Sequence, residues 1–324
     1  MNCVGLHKTT AWTVIFFVLL VGCCVAQTYP DKTIRIVTSG VGGNNDFAAR
    51  MVAYGLTGAL GQSVIVENHG GASAVIPGLT VARASADGYT LLSFSSPLWL
   101  LPYLQDNVPY DPVGDFAPIA LTMITPNILV VHPQLPVRTV SELIGLARAR
   151  PGMLNYASTT TGGPNHLSAE LFKAMAKVKI VRVSYREAAQ SINDLLNGRV
   201  ELGFPSATAV VQHIKTGKLR ALAVTSARPS MVFSTLPTIA AAGLPGYESV
   251  LRVGVFAPKA TPAPIIVRLN HEIVTLVSRP DVKEKLMSVG GEILPGTPAD
   301  FAGMINSEMV KMAKVIKENG IRAD

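Results

Sequence analysis

Hydrophobic positions along the chain alternate between two periods, short β-branched runs and stretches whose apolar residues recur every three or four positions. Residues 33–37 predict the first strand, and a glycine- and hydroxyl-rich loop at 39–45 follows it. A helix is predicted from near Asp46, with Ala48, Val52, Leu56 and Leu60 as its buried stripe. Gly61 is placed to end it. Strands are predicted at 64–66 and 90–94, the latter entered through the Asp87-Gly88 turn. A second series begins with a strand at 128–131. Thr139 and Glu142 have capping-box spacing before a helix at 140–150, and Pro151-Gly152 stops it. A strand at 154–157, a polar loop at 158–165 and a helix at 166–176 come next. A strand at 180–183, a loop at 185–187 and a helix at 188–197 repeat the pattern. A strand at 202–204 turns through Pro205-Ser206 into another helix, and 219–224 is a further strand. The chain closes with a strand at 253–256 and helices at 262–278, 282–289 and 298–319, with Thr297 as N-cap of the last. This alternation predicts an α/β protein of two similar units with no low-complexity linker, a plan that permits hinge closure over a ligand.

The N-terminus carries an address. Residues 1–10 include one cation, Lys8, and 11–21 form an apolar run too short for the ~20 residues that span a bilayer. Small residues follow, and the chain turns polar at Gln27, so residues 1–26 read as a secretory signal. Cys24-Val25-Ala26 offers an ordinary cleavage site. Leu20-Val21-Gly22-Cys23 also resembles a lipobox, in which Cys23 would be acylated. Both alternatives place the mature protein outside the cytoplasm. The three cysteines, Cys3, Cys23 and Cys24, all lie in this leader. The body therefore has no disulfide, no thiolate nucleophile and no thiolate metal site.

The net charge of +7 is spread along the chain. It hints at anionic ligands or an anionic surface, and the lack of a clustered basic patch argues against nucleic acid. Catalytic motifs fail in turn. His271-Glu272 begins a zinc-helix motif, but Thr275 stands where the second histidine belongs. Gly40-Val41-Gly42 begins a dinucleotide fingerprint, but Asn45 replaces its third glycine. The chain has no nucleophile elbow. His69, His132, His213 and His271 are scattered without metal-ligand spacing. No catalytic residue, metal or cofactor is assigned. His166, at a helix start beside a polar loop, suits a binding role or a capping role equally.

The recurring unit of strand, glycine- and hydroxyl-rich loop and helix points to an anion. Unpaired N–H groups at a helix start carry partial positive charge and bind carboxylates without a cation. The loops 39–45 and 158–165 are two such places. The same residues resemble the substrate-binding proteins of tripartite tricarboxylate transporters, the Bug-type extracytoplasmic solute receptors. The resemblance runs from about Tyr29 to Ala302 through Tyr29-Pro30-Asp31, Gly42-Gly43-Asn44-Asn45-Asp46, Asp87-Gly88-Tyr89, Tyr110-Asp111-Pro112, Leu154-Asn155-Tyr156, Gly217-Lys218-Leu219 and Phe256-Ala257-Pro258, in order.

It implies a two-lobed, Venus-flytrap periplasmic-binding-protein fold of type II-like build, with residues 27–129 plus 247–324 in lobe 1 and 130–246 in lobe 2. It implies a monomer that passes a small carboxylate to the transporter's membrane subunits. A sensor presenting its ligand to a signalling receptor is the alternative, and an enzyme on the same fold a weaker one. By position, the ligand falls to Ser39, Gly42, Gly43, Asn44, Asp46, Ser95, Ser158, Thr160, Gly162, His166, Pro205 and Ser206. Replacing Gly43 is expected to harm binding, because a side chain there would block close backbone approach or force an unfavourable φ. Arg182 is expected to lie in a strand away from the loops and to matter little. The chain departs from many relatives at 38–41, at Pro205-Ser206 and at Glu187, which if buried would repel a second carboxylate unless Arg186 paired with it.

Overall fold

The computed structural model describes residues 29–69, 74–159 and 161–322. The leader with Cys23, and Thr160, lie outside the described residues. The first series of elements is β1 (Ile34–Thr38), α1 (Asn44–Leu60), β2 (Val64–Asn68), α2 (Val75–Ala82), β3 (Thr90–Ser95), α3 (Pro97–Leu104) and β4 (Phe116–Pro126). The second is β5 (Ile128–Val131), α4 (Val140–Ala149), β6 (Asn155–Ser158), α5 (Pro164–Ala176), β7 (Val181–Ser184), α6 (Ala188–Leu196), β8 (Leu202–Gly203), α7 (Ala207–Lys215) and β9 (Arg220–Val224). The chain then returns through β10 (Val250–Pro258) to α8 (Ala263–Ser278), α9 (Pro280–Ser288) and α10 (Pro298–Glu318).

Two five-stranded sheets result, ordered β2-β1-β3-β10-β4 and β7-β6-β8-β5-β9. Each has a parallel half, β2-β1-β3 and β7-β6-β8, followed by antiparallel strands. In each sheet the fourth strand enters from the other series: β5 follows β4, and β10 follows β9. The crossings run side by side. Asn127, between β4 and β5, donates its N–H to Thr225 Oγ1 at 2.8 Å and accepts from Thr225 N at 3.0 Å. Ser249 N in turn donates to Thr225 O at 3.0 Å. The two sheets with their helices are the lobes of a two-lobed α/β fold.

Local chemistry explains most element ends. The stripe of α1 is buried as its period requires, and Gly61 closes the helix at φ 69°. Thr139 caps α4 by accepting from Glu142 N, but the Glu142 carboxylate reaches Arg138 N, one residue earlier than a closed capping box requires. Thr297 and Asp300 do form a complete box at the start of α10. The pattern missed α2, α3 and β4. The α3 sequence is apolar on every face and contains Pro102, so it shows no helical period. In β4, Leu121, Thr122 and Met123 are buried consecutively, so alternation is absent there too. The first lobe closes on an aromatic cluster in which Phe301 of α10 lies 5.2 Å from Phe256 and 6.3 Å from Trp99, centroid to centroid.

Candidate functional site

A cavity of about 220 Å³ lies between the lobes where several helices begin. Asn44 enters it from the start of α1; Thr125, Asn127 and Leu251 from the crossing strands; Thr159, Pro164 and Asn165 from the β6–α5 junction. Ala188, Ser191 and Ile192 of α6 and Pro205, Ser206 and Ala209 at the start of α7 complete the wall. Among the described residues, none of this wall carries a charged side chain. Its polar groups are hydroxyls, carboxamides and main-chain amides, with the starts of α1, α5, α6 and α7 all represented.

The loop before α1 is held from beneath by Asp46. Its buried carboxylate accepts from Gly42 N at 3.0 Å, Arg50 Nε at 3.1 Å and Asn68 Nδ2 at 2.7 Å. Burial, the largest single influence, favours the protonated form. The bonds from Gly42, Arg50 and Asn68 together outweigh it and hold the carboxyl below its ordinary value of 3.8. A depressed carboxyl contributes stability that is fully present above that ordinary value and lost as pH falls through the depressed one. Thermal unfolding should therefore find Asp46→Asn less stable than the parent at neutral pH, with the two converging in acid below about pH 4. An unchanged gap in acid would contradict this role. Gly42 takes φ 90°, whereas Gly43 is the N-cap at φ −92° with open space beside its Cα, so the φ that favours glycine lies at Gly42 and not at Gly43.

The loop after β6 is built around Arg182, contrary to the expectation that this residue stands apart. Its guanidinium donates to Ser158 Oγ at 2.7 Å, Thr159 O at 2.7 Å, Thr161 Oγ1 at 3.0 Å and Ser184 Oγ at 3.3 Å. Parallel pairing of β6 with β7 sets Arg182 opposite Tyr156, two residues from the loop, and a long side chain spans the rest. Behind the loop, buried His166 accepts from Gly162 N through Nδ1 at 2.9 Å. Its Nε2 lies 3.8 Å from Glu170, which also accepts from Tyr156 at 2.5 Å and Lys173 at 2.6 Å. Thus His166 braces the loop.

Of the residues read from the sequence, Asn44, Pro205 and Ser206 line this cavity. Gly42, Gly43, Ser39 and Asp46 shape the loop that presents Asn44. Ser158 is fully buried and taken up by Arg182. Ser95 is buried in β3 outside the wall. Gly162 lines a neighbouring cavity of about 450 Å³ instead. Glu187 is exposed, as is Arg186, so no buried carboxylate stands there. Sequence reasoning marked the loop 158–165 without singling out Thr159 and Asn165 in it, and missed Thr125, Asn127 and Ser191 as wall residues. Asn127 could have been found, since it is the polar interruption between two apolar strands at a crossing.

Two α/β lobes joined by crossing strands and enclosing a cleft at their helix starts are the architecture of a periplasmic solute-binding protein. The model of the Tripartite tricarboxylate transporter family receptor matches residues 48–321. Protein BugT of Bordetella pertussis is 36% identical over 300 residues, covering 92% of this chain and 92% of BugT. Among solved structures, R. palustris Rpa4515 with adipate is 36% identical with a TM-score of 0.74, covering 91% of this chain and 99% of that one. MatC from Rhodopseudomonas palustris with bound malate is 27% identical with a TM-score of 0.70, covering 89% and 100%. The periplasmic binding protein BugD is 28% identical with a TM-score of 0.71, covering 91% and 100%. The chain belongs to the tripartite tricarboxylate transporter receptor family, and is of Bug type. Its function is that of a carboxylate-binding solute receptor for such a transporter, and its relatives place it in the periplasm.

Proposed function

We propose that the 220 Å³ cavity holds a ligand carboxylate by peptide N–H groups and uncharged side chains alone. One observation carries this reading: the starts of α1, α5, α6 and α7 meet at a wall with no charged side chain. A helix start presents the positive end of a dipole and N–H groups that lack an intrahelical partner, which together stabilise an anion; at α5 the first position is Pro164 and His166 N donates to Asn165 Oδ1 at 2.9 Å, so that start contributes chiefly its dipole. Asn44, Asn165, Ser206 and Thr159 supply further hydrogen bonds, and Asp46, Arg182 and His166 hold the loops in shape. In this account the protein turns nothing over. It acts as a monomer, exported by residues 1–26, processed before Gln27 or acylated at Cys23, and it delivers its ligand to the membrane subunits. Residues 27–129 with 247–324 and residues 130–246 are the bodies that close on it.

A thermal-shift screen against mono-, di- and tricarboxylates, followed by calorimetry, tests the proposal. A ligand at 100 times its Kd adds about 2.7 kcal/mol to stability. Ala188 lies in the first turn of α6 and lines the cavity. An aspartate there suits the helix and places a resident carboxylate where the ligand's belongs. Ala188→Asp is expected to stay folded and to lose at least 100-fold in affinity. Unchanged affinity would sink the cage.

A further inference from the structure

The neighbouring cavity, about 450 Å³, shares Pro164 and Leu251 with the carboxylate cage, so these two side chains border both spaces. Its wall is amphipathic. Leu100, Leu167, Met304 and Met312 form the apolar part. Arg252, Glu248, Glu308, Lys311 and Asp300 form the charged part. These charges are already used. Arg252 pairs with Glu248 at 2.7 Å and Glu308 at 3.1 Å, and Lys311 stands 4.0 Å from Glu248. Glu308 also accepts from Trp99 Nε1 at 3.3 Å and Ser96 Oγ at 3.4 Å. Asp300 closes the capping box of α10. Arg252 Nε has no hydrogen-bond partner, but it is sealed from solvent and so from anything in the chamber.

Two cations thus face three carboxylates, and protonating Glu308 would only equalise them. A second carboxylate entering this chamber would find no spare cation and would meet like charge. An apolar body would bury itself against the leucines and methionines.

We propose that this chamber receives the body of the ligand and selects carboxylates with an apolar chain or ring and no second anionic group. The inference rests on the cage reading above, which places the ligand's single carboxylate beside Pro164 and Leu251. It separates this chain from a relative whose structure contains adipate.

The test is calorimetry with acetate, hexanoate, 3-phenylpropanoate and adipate on three proteins. These are the parent, Gly303→Trp and Ala188→Asp. Gly303 lines the chamber on α10, and a Cβ placed there meets nothing within 4 Å, so the backbone tolerates a side chain at this position. Replacing glycine inside a helix also favours that helix.

Each buried methylene is worth roughly fourfold in affinity. Hexanoate and 3-phenylpropanoate are expected to bind the parent at least 10-fold tighter than either acetate or adipate. Gly303→Trp should cost the long acids at least 10-fold and leave acetate within about twofold. Ala188→Asp should weaken every acid. Adipate binding as tightly as hexanoate, or long acids indifferent to Gly303→Trp, would overturn the chamber while leaving the cage intact. Acids indifferent to Ala188→Asp would overturn the cage and the chamber with it.

Discussion

Arg182→Gln is expected to lower carboxylate affinity by about 10- to 100-fold while leaving the protein folded. Arg182 is not itself a wall residue, yet its guanidinium ties together Ser158, Thr159, Thr161 and Ser184. Thr159 does line the cavity, and Pro164 and Asn165 follow from the same loop. Glutamine cannot replace a fork of donors that reaches three hydroxyls and a carbonyl at once. Loosening the loop then makes ligand binding bear its ordering, which a loss of about 1.4–2.7 kcal/mol expresses. Arg182→Lys discriminates between mechanisms. It keeps the charge and loses the fork, so it should lose nearly as much. Full rescue by lysine would mean that charge at this position, rather than shape, serves the ligand.

Phe301→Ala is expected to have the largest effect on stability, about 3–5 kcal/mol in denaturant unfolding. Phe301 is 1% exposed and packs against Trp99 and Phe256. It also lies over Gly254, where an added methyl would overlap the Phe301 ring and press on Ala120 O. The ring therefore fills the space that a glycine in β10 leaves, and removing it opens a void that neither strand can collapse into. Because α10 also supplies Met304, Glu308 and Met312 to the larger cavity, loosening this helix should weaken long ligands more than short ones. A loss below about 1 kcal/mol would show that the cluster repacks.

The elements legible in the sequence were those with a clean period or a cap. The α1 stripe with Gly61, Thr297 before α10, and the strands at 90–94 and 128–131 all signalled themselves through residues whose chemistry acts locally. Elements buried on every side gave no such signal, which is why α3 and the middle of β4 escaped. The site divides in the same way. Asn44 and Ser206 were legible because they stand where a loop meets a helix. Asn127, Thr125 and Leu251 reach the cavity only because two strands cross there, a fact of topology rather than of local pattern. Arg182 is the sharpest case. Its sequence context is an ordinary alternating strand, and only the pairing of β7 with β6 brings it over the loop.

The central claim is that an uncharged cage of helix starts holds the carboxylate, and a crystal structure of the protein with a tight-binding carboxylate tests it most directly. The account predicts carboxylate oxygens within about 3 Å of main-chain nitrogens at the starts of the cavity's helices, with Asn44, Asn165 or Ser206 adding side-chain bonds and no arginine or lysine in contact. A carboxylate paired instead with Arg252, Lys311 or Arg182 would contradict it.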